Sequence, residues 1–169
     1  VPSFVSDEAE YQFVREMVMK GRVRPMLCNL LDEKCLVGIG EAGRALKTPL
    51  RVLYTSNAEQ YWPYSDQFRA NMKALHFDDK SLILRTLATK PTKNKDYQYN
   101  TQAALNFVAF LEHDWMKRVR QLVPFVHIKA ADEFPLSHID EDPVAWRASR
   151  PAKKSKKKKK RGRKKKSAE

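Results

Sequence analysis

Apolar and polar residues along the first third of the chain recur at two spacings, one typical of amphipathic helices and the other of buried strands. The helical spacing predicts a first helix, with Ser6 or Asp7 as its N-cap, and a second helix over residues 33–47. Short, mostly apolar runs predict strands over residues 23–31 and 50–55. The chain thus begins as an alternation of helices and strands.

The same alternation continues further along the chain. It predicts a helix near residues 65–75, a strand over 81–86, helices over 101–113 and 115–122, and a last strand over 125–129. Strands separated by helices are expected to be parallel, with right-handed crossovers and helices on both faces of the sheet. We therefore predict an α/β fold of Rossmann-like type, in three layers with a mostly parallel sheet.

Polar residues cluster where the predicted strands end, and open α/β sheets bind ligands beyond the carboxyl ends of their strands. The candidate residues of a substrate or cofactor cleft are Asn29, Asp32, Ser56, Asn57, Glu59, Tyr61, Arg85, Tyr99 and Asn100. Structural roles compete with this interpretation, because Asp32 and Ser56 suit caps and turns, and Arg85 suits an ion pair with an acid. Glu59 or Asp32 would act as a general base only in a closed cleft, and no catalytic residue is assigned.

Three further sequence features resemble functional motifs, but their context does not support that interpretation. The glycines within residues 38–43 spell GxGxxG, but they lie inside a helical pattern, which predicts a packing role. Cys28 and Cys35 accompany neither a CxxC pair nor a histidine cluster, so we expect two buried free thiols and no metal site. The four histidines are scattered and do not follow the order of a hydrolase.

Basic charge is concentrated at the end of the chain. Residues 147–169 hold 14 of the 33 Lys and Arg residues and one of the 20 acids, whereas residues 1–146 are balanced. We therefore predict a folded domain over residues 1–146, partial in extent, and a disordered lysine-rich tail over residues 147–169. The tail residues expected to contact polyanions are Lys153, Lys154, Lys156, Lys157, Lys158, Lys159, Lys160, Arg161, Arg163, Lys164, Lys165 and Lys166.

A basic run of this kind binds phosphate backbones through counterion release, without choosing a sequence. It binds an anionic membrane surface equally well, and a purely solubilising role is the alternative. The run contains no aromatic residue that could stack on a base. No apolar stretch approaches the ~20 residues that span a bilayer, so we expect no transmembrane segment.

Four segments carry a family resemblance: YTSNAEQY at residues 54–61, FRAN at 68–71, LRT at 84–86 and YQYN at 97–100. In this order and spacing they resemble a family of uncharacterised bacterial proteins whose longer members resemble class I S-adenosylmethionine-dependent methyltransferases. The resemblance implies that this chain is the C-terminal half of a Rossmann-like domain. It also implies that S-adenosylmethionine would bind mainly to an N-terminal half, through a glycine-rich turn that the present residues lack.

Two functions follow from these observations. The first is a methyltransferase-like protein that uses S-adenosylmethionine when an N-terminal half outside this chain completes it. The alternative is a noncatalytic Rossmann-like binding module that its polybasic tail tethers to nucleic acid or to an anionic surface. The chain as given favours a cytoplasmic location, and an exported or lipid-anchored location is the alternative if an N-terminal segment precedes it.

Overall fold

The computed structural model describes residues 3–88, 97–122 and 136–150. The helices and strands, in chain order, are α1 (Glu8–Met19), α2 (Cys35–Ala45), β1 (Val52–Ser56), a 3-10 turn (Ala58–Gln60), α3 (Asp66–Ala74), β2 (Leu82–Ala88), β3 (Tyr97–Ala103), α4 (Ala104–Leu111), α5 (Val119–Leu122), β4 (Leu136–Ile139) and α6 (Pro143–Ala148).

The four strands form one sheet in the order β1-β2-β3-β4. β1 is parallel to β2 and β3 is parallel to β4, whereas β2 and β3 are antiparallel. The protein is therefore a mixed α/β domain with a mostly parallel sheet, which confirms the coarse prediction. The antiparallel pair differs from the uniform alternation of strands and helices that the apolar pattern predicts.

Local capping chemistry explains where three of the helices begin. The Asp7 carboxylate accepts the backbone N–H of Glu10 at 3.0 Å, so the predicted cap of α1 is confirmed. Ser65 caps α3 by accepting the N–H of Phe68 at 3.2 Å. Asp142 caps α6, the helix that the apolar pattern does not predict.

Two predicted strands have different outcomes. The strand over residues 23–31 is wrong, because this described segment contains no strand and its apolar side chains Val23, Met26 and Leu27 are exposed. A short apolar run becomes a strand only when a neighbouring strand completes its hydrogen bonds, and periodicity alone cannot supply that neighbour. The predicted strand over residues 125–129 lies outside the described residues.

The apolar pattern does not predict strand β3, because the buried positions of this strand are polar. Its inward-facing residues are the amides Gln98, Asn100 and Gln102, all of which are buried, while Tyr97 and Tyr99 face the other way. A strand that buries polar side chains lacks the apolar alternation by which strands are recognised. The helix predicted from residue 101 consequently begins only at Ala104.

One face of the sheet carries the hydrophobic core. Ile83 and Leu87 of β2 point into a cluster with Phe68 and Met72 of α3 and Phe107 of α4, and all five are buried. The buried guanidinium of Arg69 donates to the carbonyls of Leu111 and Met116, which fastens α3 to the end of α4 and the turn that follows. Helices therefore cover this face.

The opposite face carries none of the described helices, and we call it the open face. Strand register places on it Val52, Tyr54, Leu82, Leu84, Thr86, Tyr97, Tyr99, Thr101, Leu136 and His138. These side chains are exposed or half-buried. The helical layer expected on the second face is therefore absent from the part of the chain that the structure describes.

The connection into α2 contradicts the prediction of two buried free thiols. Cys28 and Cys35 form a disulfide with Cα atoms 5.4 Å apart, and Cys28 is exposed while Cys35 is half-buried. The spacing of seven residues closes a short loop just before α2 and allows this pairing. The neighbouring backbone is held by Asn71 of α3, whose amide donates to the carbonyls of Leu30 at 3.0 Å and Asp32 at 2.7 Å.

The glycine motif has the packing role predicted for it. All of its glycines lie within α2, and a Cβ on Gly40 would stand 2.0 Å from the carbonyl oxygen of Ala74 in α3. A Cβ on Gly43 would approach the Thr48 carbonyl oxygen at 3.1 Å. Gly40 and Gly43 thus let α2 approach α3 and the turn after α2, rather than a phosphate or the sheet, whereas a Cβ on Gly38 would meet nothing within 4 Å.

Candidate functional site

A buried ion pair lies beside the carboxyl end of β1. The Nε atom of Arg85 donates to Oε1 of Glu59 at 2.9 Å, and both side chains have no exposed surface. Thr55 donates its hydroxyl to the same carboxylate oxygen at 2.7 Å, and Tyr64 donates to the other oxygen at 2.5 Å. The carboxylate therefore accepts three hydrogen bonds, one from the guanidinium and two from hydroxyls.

Short elements of the chain bring these groups together. Thr55 is the inward-facing residue near the end of β1, and Glu59 follows in the 3-10 turn, four residues later. Arg85 comes from the neighbouring parallel strand β2, where it faces the same side of the sheet as Ile83 and Leu87. The turn bends Glu59 back over the strand end, so a local contact and a cross-strand contact meet on one carboxylate.

The other end of the Arg85 guanidinium reaches β3. Its Nη1 atom donates to Oδ1 of Asn100 at 3.2 Å and to Oε1 of Gln102 at 2.9 Å. The Phe107 ring lies under the guanidinium with its centroid 4.4 Å from Cζ, a cation–π geometry. The Nη2 atom is buried and has no hydrogen-bond partner in the structure, among the residues described.

The network extends from Arg85 to the sheet edge. The amide of Asn100 donates to the Ser137 hydroxyl on β4 at 3.1 Å. Gln102 donates to Asn106 of α4 at 2.8 Å, and Asn106 donates to the Glu141 carbonyl at 3.0 Å. A continuous polar chain therefore links the strands β1 to β4 beneath the helices.

Two tyrosines near β1 have shifted pKa values in opposite directions. Burial raises the pKa of Tyr64 well above its ordinary value, and the neighbouring Glu59 carboxylate raises it further. Tyr54 lies on the open face, where its hydroxyl pairs with that of Thr86 at 2.7 Å. This bond, and then a bond with Ser56, lower the pKa of Tyr54.

The structure brings together three of the predicted cleft residues. Glu59, Arg85 and Asn100 meet in the buried network, and Arg85 pairs with an acid, as its alternative interpretation predicts. Because the two charges neutralise one another out of contact with solvent, neither is presented to a ligand in this arrangement. Their assignment to a ligand cleft stays a prediction.

The residues around the 3-10 turn keep polar groups nearer to solvent. Ser56 has a left-handed backbone with φ of 51°, at a register irregularity between β1 and β2. Such a backbone is uncommon for a residue other than glycine, and here it redirects the chain out of the strand. Asn57 is half-buried, Tyr61 is exposed, and Tyr99 lies on the open face instead of over the network.

Asn29 and Asp32 lie in the connection before α2. Asn29 accepts the N–H of Leu31 at 3.0 Å, and Asp32 accepts those of Lys34 at 3.0 Å and Cys35 at 3.4 Å. Among the described hydrogen bonds, none joins either side chain to the Arg85 network. Asp32 therefore has the turn and capping contacts that its alternative interpretation predicts.

Five members of the network were not among the predicted site residues: Thr55, Tyr64, Gln102, Asn106 and Ser137. Tyr64 follows the turn and sits against Phe68 with ring centroids 4.9 Å apart, and Gln102 lies in the strand that the apolar pattern did not predict. The only sequence signal for Gln102 is the spacing of two among the amides of β3, at residues 98, 100 and 102. Amides at that spacing indicate a strand only once a buried charge on the neighbouring strand is known.

The described chain ends beside α6. The Arg150 guanidinium lies 3.9 Å from the centroid of the Trp146 ring, and its Nη1 donates to the Gln121 carbonyl at 2.9 Å. Arg147 and Arg150, which the charge pattern assigns to the tail, thus pack with the folded region. The predicted polyanion-binding residues from Lys153 onward lie outside the described residues.

The protein is a mixed α/β domain with helices on one face of its sheet and a buried ion pair beneath these helices. The chain belongs to the DUF7790 family, described as a domain of unknown function, which matches residues 1–140. No curated protein matches the chain. No helix in the described ranges has the length and apolar character needed to cross a membrane.

Proposed function

We propose that this chain is a noncatalytic α/β binding module that its basic tail attaches to nucleic acid. The observation that carries this proposal is the charge distribution. Residues 153–166 contain 12 Lys and Arg among 14 residues, whereas residues 1–146 have equal numbers of basic and acidic residues. The attraction to a polyanion is therefore concentrated in one short segment.

The buried ion pair of Glu59 and Arg85 supports a structural rather than a catalytic role for the polar network around it. Glu59 and Arg85 pair with one another without exposed surface, and hydroxyl and amide partners occupy the carboxylate and the Nη1 atom. A general base or an anion-binding arginine must reach its ligand. This pair instead ties β1, β2 and β3 together, which suits a scaffold that displays other surfaces.

The chemistry of the tail favours nucleic acid among polyanions. Residues 153–166 contain no aliphatic or aromatic side chain that could enter a membrane interface, so charge alone contributes to binding. Double-stranded DNA carries about one negative charge per 1.7 Å of its axis and releases condensed counterions when lysines neutralise its phosphates. The tail is therefore matched to a dense line of phosphates without sequence preference.

The test compares the full chain with a full-length variant whose twelve basic tail residues are glutamine. The parent should bind duplex DNA with a steep dependence on salt, about 0.9 in log K against log salt for each phosphate neutralised, and the variant should lose this binding. A variant with the same tail residues in scrambled order should bind as the parent does. Equal affinity of the glutamine variant, or binding to anionic vesicles but not to DNA, would refute the proposal.

A second candidate function is the methyltransferase-like one, completed by an N-terminal half. It is favoured by the position of β1, which is the edge strand of the described sheet and is parallel to β2, so that further parallel strands could extend the sheet. The intact mass of the native protein, compared with the 19.7 kDa of this chain, tests the first requirement. A larger protein that binds S-adenosylmethionine in calorimetry would support this candidate, and an equal mass would reject it.

A further inference from the structure

The disulfide between Cys28 and Cys35 lies in the connection between α1 and α2 and is accessible from one end. Cys28 is exposed, whereas Cys35, the first residue of α2, is half-buried. Residues 23–28 are all exposed, and among the described residues no hydrogen bond joins them to the rest of the domain. A molecule in solution can therefore approach the bond from the side of Cys28.

The loop between the two cysteines is held by contacts that do not involve sulfur. The buried amide of Asn71 donates to the carbonyls of Leu30 at 3.0 Å and Asp32 at 2.7 Å. Gln67 donates to the amide oxygen of Asn71 at 2.8 Å, which orients the amide towards the loop. The Asp32 carboxylate also accepts two backbone N–H groups at the start of α2, at 3.0 and 3.4 Å. The loop therefore keeps its shape, and the two sulfur atoms stay close together, when the bond between them is opened.

The disulfide closes a short loop, because its two cysteines are seven residues apart in the chain. A cross-link constrains the unfolded chain less when the loop that it closes is short. Structural disulfides typically resist reduction by a glutathione pool, whereas exposed disulfides are more easily reduced. The position of this bond therefore suits a disulfide that opens and forms again, rather than a permanent cross-link.

We infer that Cys28 and Cys35 form a redox-active disulfide whose substrates are small-molecule thiols. The thiolate of a first thiol attacks Sγ of Cys28, which forms a mixed disulfide there and breaks the bond to Cys35, so that Cys35 leaves as a thiolate. A second thiolate then attacks the sulfur of the small molecule in the mixed disulfide and releases Cys28 as a thiolate. Two thiols are thereby oxidised to one disulfide, and their two electrons and two protons end on the two cysteines.

The experiment equilibrates the full chain with mixtures of reduced and oxidised glutathione that extend from the poise of a cytosol to that of an oxidising secretory compartment. Acid quenching, alkylation of the free thiols and intact mass then give the fraction of the chain that holds the disulfide. Half of the chain should hold it at a mixture within this range, with the same midpoint when the titration starts from oxidised or from reduced protein. A chain that stays fully oxidised, or fully reduced, in every mixture would overturn the inference.

Single-cysteine variants identify the sulfur at which the mixed disulfide forms. Cys35→Ser leaves the exposed Cys28, which should form a mixed disulfide with oxidised glutathione, the same intermediate reached from the other direction. Cys28→Ser is the matched control, because the half-buried Cys35 that remains should react at least about tenfold more slowly. Reaction of Cys35 at the rate of Cys28, or faster, would overturn the assignment of Cys28 as the attacked sulfur.

Reduction should leave the domain folded, because the contacts of Asn71 and Asp32 persist without the disulfide. The far- and near-ultraviolet circular dichroism of the reduced parent should therefore match that of the oxidised parent. Unfolding of the domain on reduction would overturn the inference, since the bond would then be a structural cross-link of the fold.

Asn71→Ala tests how the thiols are kept together in the reduced chain. The variant lacks both donors to the loop, so its equilibrium constant for closing the disulfide with oxidised glutathione should fall about fivefold or more. Asn106→Ala is the matched control, because this amide bonds elsewhere, to the Glu141 carbonyl, and should leave the constant unchanged. An unchanged constant in Asn71→Ala would overturn the role given to the loop contacts.

Discussion

Replacing Glu59 by glutamine should destabilise the domain strongly, although the two side chains have nearly the same shape. The substitution leaves no cavity, but it removes the negative charge that faces Arg85 at 2.9 Å. It also places an NH2 group where either Arg85 or the hydroxyls of Thr55 and Tyr64 now donate. With its oxygen towards Arg85, the NH2 group would face Tyr64, whose hydroxyl can turn and accept it, so the main cost is the uncompensated charge of Arg85 in a site without exposed surface.

The expected magnitude follows from the burial of the pair. Removing one partner of a buried ion pair costs about 3–5 kcal/mol, because the remaining charge is neither paired nor hydrated. A domain of this kind is stable by about 5–15 kcal/mol, so the loss is a large fraction of the total. With a urea dependence of about 2 kcal/mol per molar, the unfolding midpoint should fall by about 2 M.

Arg85→Met tests the other end of the pair. It leaves the Glu59 carboxylate buried without its cation, with only the hydroxyls of Thr55 and Tyr64 as partners. The loss should again be about 3–5 kcal/mol, because the remaining charge keeps its desolvation cost.

Urea unfolding followed by tryptophan fluorescence measures both variants and the double variant E59Q/R85M. The double variant should lose less stability than the sum of the single variants, since neither charge is then left alone. A free energy of unfolding within about 1 kcal/mol of the parent in both single variants would refute the reasoning, because removing one partner of a buried ion pair costs more than this.

Three further substitutions, one of them with a matched control, test other contacts by urea unfolding. Gly40→Ala should destabilise the domain by more than about 2 kcal/mol, because its Cβ would overlap a backbone carbonyl of α3, whereas Gly38→Ala, with nothing within 4 Å, should be neutral or stabilising. Cys28→Ser should cost about 2–3 kcal/mol by opening the loop to Cys35, and an unreduced parent that reacts with a thiol reagent would contradict the disulfide. The pKa of Tyr64 is raised in the folded state, so its contribution to stability is complete below the unfolded value of 10.0 and is lost as the pH rises above it. Tyr64→Phe should therefore flatten the decline of stability above pH 10, and an unchanged decline would count against the raised pKa.

The helices α1, α2 and α3 and the strands β1 and β2 could be predicted from the sequence because each satisfies its own local rules. Asp7 and Ser65 are caps, and the apolar positions of α3 recur at helical spacing. β1 and β2 are short runs rich in β-branched and other apolar residues. Their existence was predictable, and their neighbours in the sheet were not, because pairing depends on contacts between distant segments.

The candidate site was predicted in part for the same reason. Glu59 and Arg85 were predicted as site residues because they are polar and lie at strand ends. Their mutual contact could not be predicted, because it joins residues 26 apart in the chain. Asn100 was named without the knowledge that it faces Arg85, because the strand that carries it buries amides. A buried charge thus explains the polar pattern of β3, and a sequence pattern based on apolar alternation treats that strand as a loop.

The helix α1 presents an exposed apolar stripe, and unfolding measurements show whether that stripe is packed in solution. None of its residues is buried, and Phe13 and Val18 are 65% and 55% exposed. The family match nevertheless includes this helix in the same domain as the sheet. If α1 stays undocked, F13S/V18S should change the free energy of unfolding by no more than about 0.5 kcal/mol, the range typical of surface substitutions, whereas Phe68→Ala in the fully buried core should cost about 3–5 kcal/mol. A loss of more than about 1 kcal/mol in F13S/V18S would mean that the stripe packs against another surface of the domain in solution. The open face carries none of the described helices, so that outcome would favour packing of α1 on this face.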